Sequence, residues 1–236
     1  MLLPEDIFKS GSLILPDSMP ELHFDEVLWG DILSNRIMVV VAVVLMLASL
    51  VEILRFFPTA IYCIKRARGS INLEHSVSQA RARNLLALVH ALPLCLVADK
   101  FDLYRIHVIP REWSALSLLG VLAIYLLVRQ LMYRLFYPRK RVRAESAAAA
   151  HRALYTFGIA MTWVILLTAG VMGILGSEWE VIRTVILWEM AAFYALNILR
   201  SGQILGAECS GMSTILYLCG FEFIPTAMLV ASTLYE

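Results

Sequence analysis

Apolar residues fill this chain in blocks of about 20, the length at which a helix crosses the hydrocarbon core of a bilayer. Six such blocks are read, at 36–57, 84–101, 113–136, 153–176, 180–200 and 212–235. Each is predicted as a transmembrane helix, giving an all-α fold: a polytopic transmembrane helical bundle of about six spans. The second block is the weakest, because His90, Pro93 and Asp99 interrupt it. It is expected to be a distorted helix inside the bundle. The run Ala147 to Ala150 reads as a helix that extends beyond the fourth span.

Charge placement orients these spans. Lys65, Arg66, Arg68, Arg81 and Arg83 lie between the first two blocks, and Arg139, Lys140, Arg141, Arg143 and Arg152 lie between the third and fourth. By the positive-inside rule both loops face the cytoplasm. The segment before the first block is acidic, with Glu5, Asp6, Asp17, Glu21, Asp25 and Glu26 among its charges, and the loop holding Glu178 and Glu180 is acidic as well. An even number of spans then leaves both termini outside. Residues 1–35 are read as an acidic outer, periplasmic N-terminal segment, with a short interfacial helix expected around Phe24–Asp31, and 36–236 as the six-span membrane domain. Met1 to Lys9 lacks the basic start of a cleavable signal, so the first span is expected to insert the chain.

Composition narrows the function classes. Of 236 residues, 60% are hydrophobic and only 17% charged, and the mean hydropathy is +0.73. A water-soluble domain could not cover its own surface with so few polar residues. Twenty Lys and Arg against 19 Asp and Glu leave a formal charge of +1. No broad basic field exists to attract nucleic acid. The four cysteines, Cys63, Cys95, Cys209 and Cys219, stand singly, without a CxxC pair, and read as small buried hydrophobes.

Ionisable side chains at membrane depth are the candidate functional residues, since each costs a few kcal/mol to insert without a partner. Glu189 and Glu222 fall about nine and ten residues into the fifth and sixth blocks, roughly 13 to 15 Å deep. If those helices pack antiparallel, the two carboxylates are brought toward each other or toward a shared cation. A second group lies toward the cytoplasmic third: Glu52 with Arg55, which can pair at i,i+3, then His90, and Arg129 in the row Tyr125, Arg129, Tyr133. Arg200 reads as a snorkelling cap on its own helix. In the last block Pro225 frees the carbonyl of Phe221 beside Glu222, with Tyr217 two turns before it. Glu222 has two readings there, a protonated acid bonded to a neighbouring helix or a chemical site.

The run Tyr217 to Pro225, YLCGFEFIP, resembles the C-terminal signature of the Bacteroidota membrane-protein family called domain of unknown function 4271, a pattern of roughly Tyr-Leu-Cys-x-x-Glu-x-x-Pro. Tyr217, Cys219, Glu222 and Pro225 carry the match. The resemblance implies a bacterial inner, cytoplasmic, membrane location and a multi-pass fold, and no reaction.

Catalytic signatures are missing from the residues. There is no HExxH, GxSxG, P-loop or GxGxxG, and the five histidines are spread over separate elements. No catalytic, cofactor-binding or metal-ligating set is read, and the sequence leans against an enzyme. The first reading is a non-catalytic subunit or scaffold of a bacterial cell-envelope complex, meeting an envelope protein partner or forming a homo-oligomer. Small residues at Ala169, Gly173, Ala191 and Ala195 permit close helix approach. The alternative is a proton-coupled small-molecule carrier that uses Glu222 and Glu189. Under either, the bilayer is the solvent, and anionic inner-leaflet lipids are expected at the basic loops.

Overall fold

The computed structural model describes residues 29–104, 109–136, 144–207 and 211–228. Every regular element among them is helical: α1 Leu33–Ala48, α2 Leu50–Lys65, α3 Ala67–His75, α4 Val77–Lys100, α5 Ser114–Phe136, α6 Ala144–Ile174, α7 Trp179–Gly206 and α8 Gly211–Leu218. A π-helical turn, Cys219–Phe223, continues α8 into a helical stretch at 224–228. The acidic segment 1–28, with most of the expected interfacial helix, the basic residues 137–143, Cys209 and the end of the last block at 229–236 lie outside the described residues.

The first expected span is not one straight helix. It breaks at Ser49 and turns by 70° between α1 and α2. Ser49 supplies the cause: its hydroxyl donates back to the Leu45 carbonyl at 2.7 Å, a side-chain bond that competes with the helical ladder and bends it. Residues 58–83, expected mainly as a loop, are helical almost throughout. They form the end of α2, all of α3 and the first turns of α4. α3 folds tightly under α2, and a Cβ at Gly69 would meet the Tyr62 ring at 2.8 Å and the Tyr62 carbonyl at 2.9 Å.

The remaining elements follow the apolar blocks with longer ends. α4 begins seven residues before its block, α6 nine before and α7 runs six past, so the Ala147 to Ala150 run is helical as its composition predicts. Two helix ends have the same closing geometry. After α4, Leu103 N–H reaches the Ala98 carbonyl at 2.9 Å and Asp102 adopts φ 50°. After α6, Ser177 N–H reaches the Met172 carbonyl at 3.0 Å with Gly176 at φ 71°. Both are Schellman stops, in which a left-handed residue lets the chain satisfy the last carbonyls.

α6 is the central element and touches α2, α3, α4 and α7. Phe56, Cys63, Leu73, Leu86 and Ile159 join α2, α3, α4 and α6 in one apolar core, and Ile165, Ile182, Ile186 and Phe101 make another between α4, α6 and α7. The outer faces are apolar too: Leu88, Leu167 and Trp188 are 73%, 69% and 73% exposed. Val77–Lys100, Arg111–Leu135, Glu145–Ile174 and Trp179–Gly206 are each long and apolar enough to cross a membrane, and the bent α1–α2 pair makes a fifth if it counts as one span. Such a surface suits lipid on its outside.

Of the small residues expected to permit close approach, Ala169 packs against the Ile165–Ile186 core, whereas Gly173, Ala191 and Ala195 do not mediate this packing. A Cβ at Gly170 or Gly173 would meet nothing within 4 Å, and Ala191 and Ala195 are exposed. Gly69→Ala should therefore destabilise by about 1–3 kcal/mol through overpacking. Gly173→Ala should be neutral or stabilising, by up to about 1 kcal/mol, through helix propensity. Thermal unfolding of the two variants in detergent checks the contrast.

Candidate functional site

Four helices bring the principal polar cluster together. Glu222 sits on the π-turn, with its carboxylate 2% exposed, and forms an ion pair with Arg129 of α5, whose side chain is 1% exposed. The π geometry belongs at this place in the sequence. Pro225 cannot donate a backbone hydrogen bond, and a widened turn is one way a helix absorbs that loss. The next carbonyl along, that of Glu222, accepts from Thr226 Oγ1 at 2.7 Å and from the Tyr194 hydroxyl at 3.1 Å.

The carboxylate has a second donor in Asn197 Nδ2 of α7, at 3.3 Å from Oε2. Arg129 reaches onward through Nη1 to the His151 carbonyl of α6 at 2.7 Å. The His151 ring lies over Tyr133, 4.2 Å between centroids and 15° from parallel, and its Nε2 bonds Gln130 Oε1 at 2.9 Å. Because an amide oxygen only accepts, Nε2 of that ring carries the proton. Beside the cluster a cavity of about 20 Å³ is lined by Tyr133, Ala147, His151, Ser201, Tyr217 and Glu222, among others. That is room for about one water molecule. Arg129 Nε, His151 Nδ1 and Asn197 Oδ1 are buried without a hydrogen-bond partner among the described residues.

The expected meeting of Glu189 with Glu222 does not occur. Glu222 meets α7 at Tyr194 and Asn197, five and eight residues beyond Glu189, an offset of roughly 8 to 12 Å along the helix. Glu189 instead accepts from Thr168 Oγ1 at 2.6 Å, and its other oxygen is buried without a partner among the described residues. No group of three or more metal-ligating side chains occurs among the described residues.

Other predicted residues separate from this cluster. Arg129 pairs with the last helix and not with Glu52, Arg55 or His90. Glu52 and Arg55 meet each other at 3.5 Å on the exposed side of α2. His90 is a core residue with both nitrogens used: Nδ1 bonds the Leu86 carbonyl at 2.7 Å and Nε2 accepts from the Trp163 indole at 2.7 Å. A carbonyl only accepts and an indole N–H only donates, so the ring is held as the Nδ1–H tautomer. Arg200 does not cap its own helix, which runs on to Gly206; it donates to the Ile64 carbonyl at the end of α2 and to Gln203 at 2.8 Å. Tyr217 packs against the Ala147–Leu205 core and lines the cavity, while Pro225 is buried.

Sequence reasoning missed a second buried cluster. Glu74 of α3, with its side chain 5% exposed, pairs with Arg83 of α4 and with Arg152 of α6 at 2.8 Å. Arg83 had read as a loop charge, but it is 1% exposed and also donates to Asn84 Oδ1. No apolar block flags α3, so only the lone acid inside a basic stretch marked Glu74. His151 stands in the sequence as one of five scattered histidines, and Gln130, Tyr194 and Thr226 carry no separate signal. At the opposite end of the bundle the Trp29 indole donates to Asp99 at 2.6 Å and the Ser34 hydroxyl to the Glu112 carbonyl at 2.5 Å.

No family model matches the chain, and no curated protein or solved structure does. The site is therefore read from its geometry. Two opposite charges buried in apolar surroundings repay their desolvation only as a pair, and removing one partner typically costs about 3–5 kcal/mol. Arg129→Met and Glu222→Met should each lower stability by that order, while the double variant should cost less than either single change. Unfolding of all four proteins in the same detergent measures the coupling.

Proposed function

We propose that this chain is a non-catalytic integral membrane protein, a subunit or scaffold of a bacterial cell-envelope complex. In this reading it crosses the inner membrane six times, with α1, α4, α5, α6, α7 and the last helix as spans and both termini outside. One observation carries the proposal: Glu222, the carboxylate with the strongest claim to chemistry, is spent on Arg129 and Asn197 and ties the last helix to α5 and α7. A proton or substrate site needs a group free to change partners, and this reading takes Glu222 as a structural tie. The bacterial envelope assignment is supported by the Tyr217, Cys219, Glu222 and Pro225 pattern. The sidedness is supported by the basic α2–α4 region lying at the bundle end opposite Asp99, about 24 Å away along α4 if measured from Arg83.

A second reading, the proton-coupled carrier, has one observation in its favour. Glu189 Oε2 is buried without a partner among the described residues, the state expected of a carboxyl group that exchanges a proton. The carrier role then moves from the Glu222 site to Glu189.

Crosslinking in native membranes followed by purification in mild detergent separates the two. A subunit or scaffold should return the same envelope protein at fixed stoichiometry, absent from a control membrane protein handled identically. A lone chain with no recurrent crosslink contradicts the proposal. Glu189→Gln is expected to leave that complex intact, whereas in a carrier it should abolish pH-coupled flux in reconstituted vesicles.

A further inference from the structure

Most of the surface of α2 falls into three rows. Phe56, Ala60 and Cys63, at i, i+4 and i+7, are buried against α3, α4 and α6. Leu50, Leu54, Phe57 and Ile61, at i, i+4, i+7 and i+11, form an apolar row in which Leu50, Leu54 and Phe57 are 47%, 65% and 48% exposed, Phe57 also leaning on Trp163. Glu52, Arg55, Thr59 and Tyr62, at i, i+3, i+7 and i+10, form a polar row that is half-buried to exposed. The helical period makes each row a continuous stripe.

A helix standing along the bilayer normal would carry the polar stripe through the hydrocarbon, with the Glu52–Arg55 pair exposed there at 44% and 73%. A helix lying flat at the interface places the apolar stripe in acyl chains and the polar stripe among headgroups along its whole length. The 70° turn at Ser49 provides that change of direction. At the far end of α2 the exposed charges are positive. Lys65, Arg66 and Arg68 are exposed and make no ion pair among the described residues, and the same holds for Arg81 at the start of α4. The carboxylates on the elements around them face other groups: Glu74 meets Arg83 and Arg152, Glu52 meets Arg55, and Glu145 lies 3.4 Å from the His75 ring.

We propose that α2 is an in-plane interfacial helix and not the second half of a span, and that the α2–α3 elbow docks on the anionic lipid headgroups of the leaflet on that side. Three neighbouring exposed cations that pair with no carboxylate among the described residues complement an anionic headgroup layer. This inference rests on the chain residing in a bilayer and is independent of whether it serves as a scaffold.

Depth measurement tests it in the full chain reconstituted into vesicles of phosphatidylcholine and phosphatidylglycerol. Spin labels are placed one at a time through Leu50→Cys, Leu54→Cys and Ile61→Cys, in a background with the four native cysteines replaced by alanine. Val40→Cys and Leu47→Cys on the exposed face of α1 provide a ruler. Oxygen against nickel accessibility should place the three α2 labels within about 6 Å of one depth, while the α1 labels step by about 10 Å. A spread of about 16 Å along α2 would show a spanning helix and overturn the proposal. A flat profile along both helices would overturn it too, since the corner would then mark no change of direction. The headgroup assignment is read separately by native mass spectrometry. Wild type should retain phosphatidylglycerol in preference to phosphatidylcholine, and Lys65→Gln/Arg66→Gln/Arg68→Gln should lower that preference several-fold; an unchanged preference contradicts the docking surface.

Discussion

The buried ion pair between Arg129 and Glu222 is the constraint around which the end of the bundle is organised. A guanidinium on α5 and a carboxylate on the last helix cannot each be left alone in apolar surroundings, so the two helices must meet. Once they meet, the rest is fixed in turn. Asn197 and Tyr194 set where α7 runs past the π-turn, and the His151 carbonyl sets where α6 crosses α5. Four helices thereby share one polar junction. The apolar cores alone would bring them together but would tolerate sliding along the axis, since close-packed methyl groups resemble one another from turn to turn. Directional charge-assisted bonds tolerate it far less.

A second junction repeats the principle at the basic end. Glu74 is held between Arg83 and Arg152, and so ties α3 to α4 and α6. His151 and Arg152 are consecutive on α6, so the two junctions are connected through one turn of the central helix. The Arg200 bond to the Ile64 carbonyl adds α7 to α2 at the same level. Buried charged contacts are thus concentrated in two adjacent layers, while the opposite end relies on single contacts such as Trp29 to Asp99. The distribution places the most directional part of the fold where the basic segments are.

Much of the helical architecture was legible in the sequence, because a run of apolar residues constrains length and type of element together. The blocks at 113–136 and 180–200 foretold α5 and α7 with modest changes at their ends. Legibility stopped where polar residues shape helices. The stretch 66–83 is charged, so it read as a loop, although Glu74, Arg83 and Arg152 satisfy one another and let α3 and α4 form. The turn at Ser49 was hidden because a serine within an apolar run signals a bend only once its hydroxyl is seen on the Leu45 carbonyl. At the site, Glu222 and Arg129 are each noticeable as ionisable residues in apolar blocks, but periodicity gives no register between helices distant in sequence. It therefore allowed Glu189 to stand opposite Glu222, a pairing excluded by the observed offset.

The central claim is that the Arg129–Glu222 pair, and not apolar packing alone, holds the last helix against α5. Pulsed electron-spin distance measurement between labels on the exposed positions Leu127 of α5 and Ile215 of α8 tests it most directly, in wild type and in Glu222→Gln. A single narrow distance in wild type that broadens or lengthens in the variant is the predicted result. An equally narrow, unchanged distance in both proteins would contradict the account.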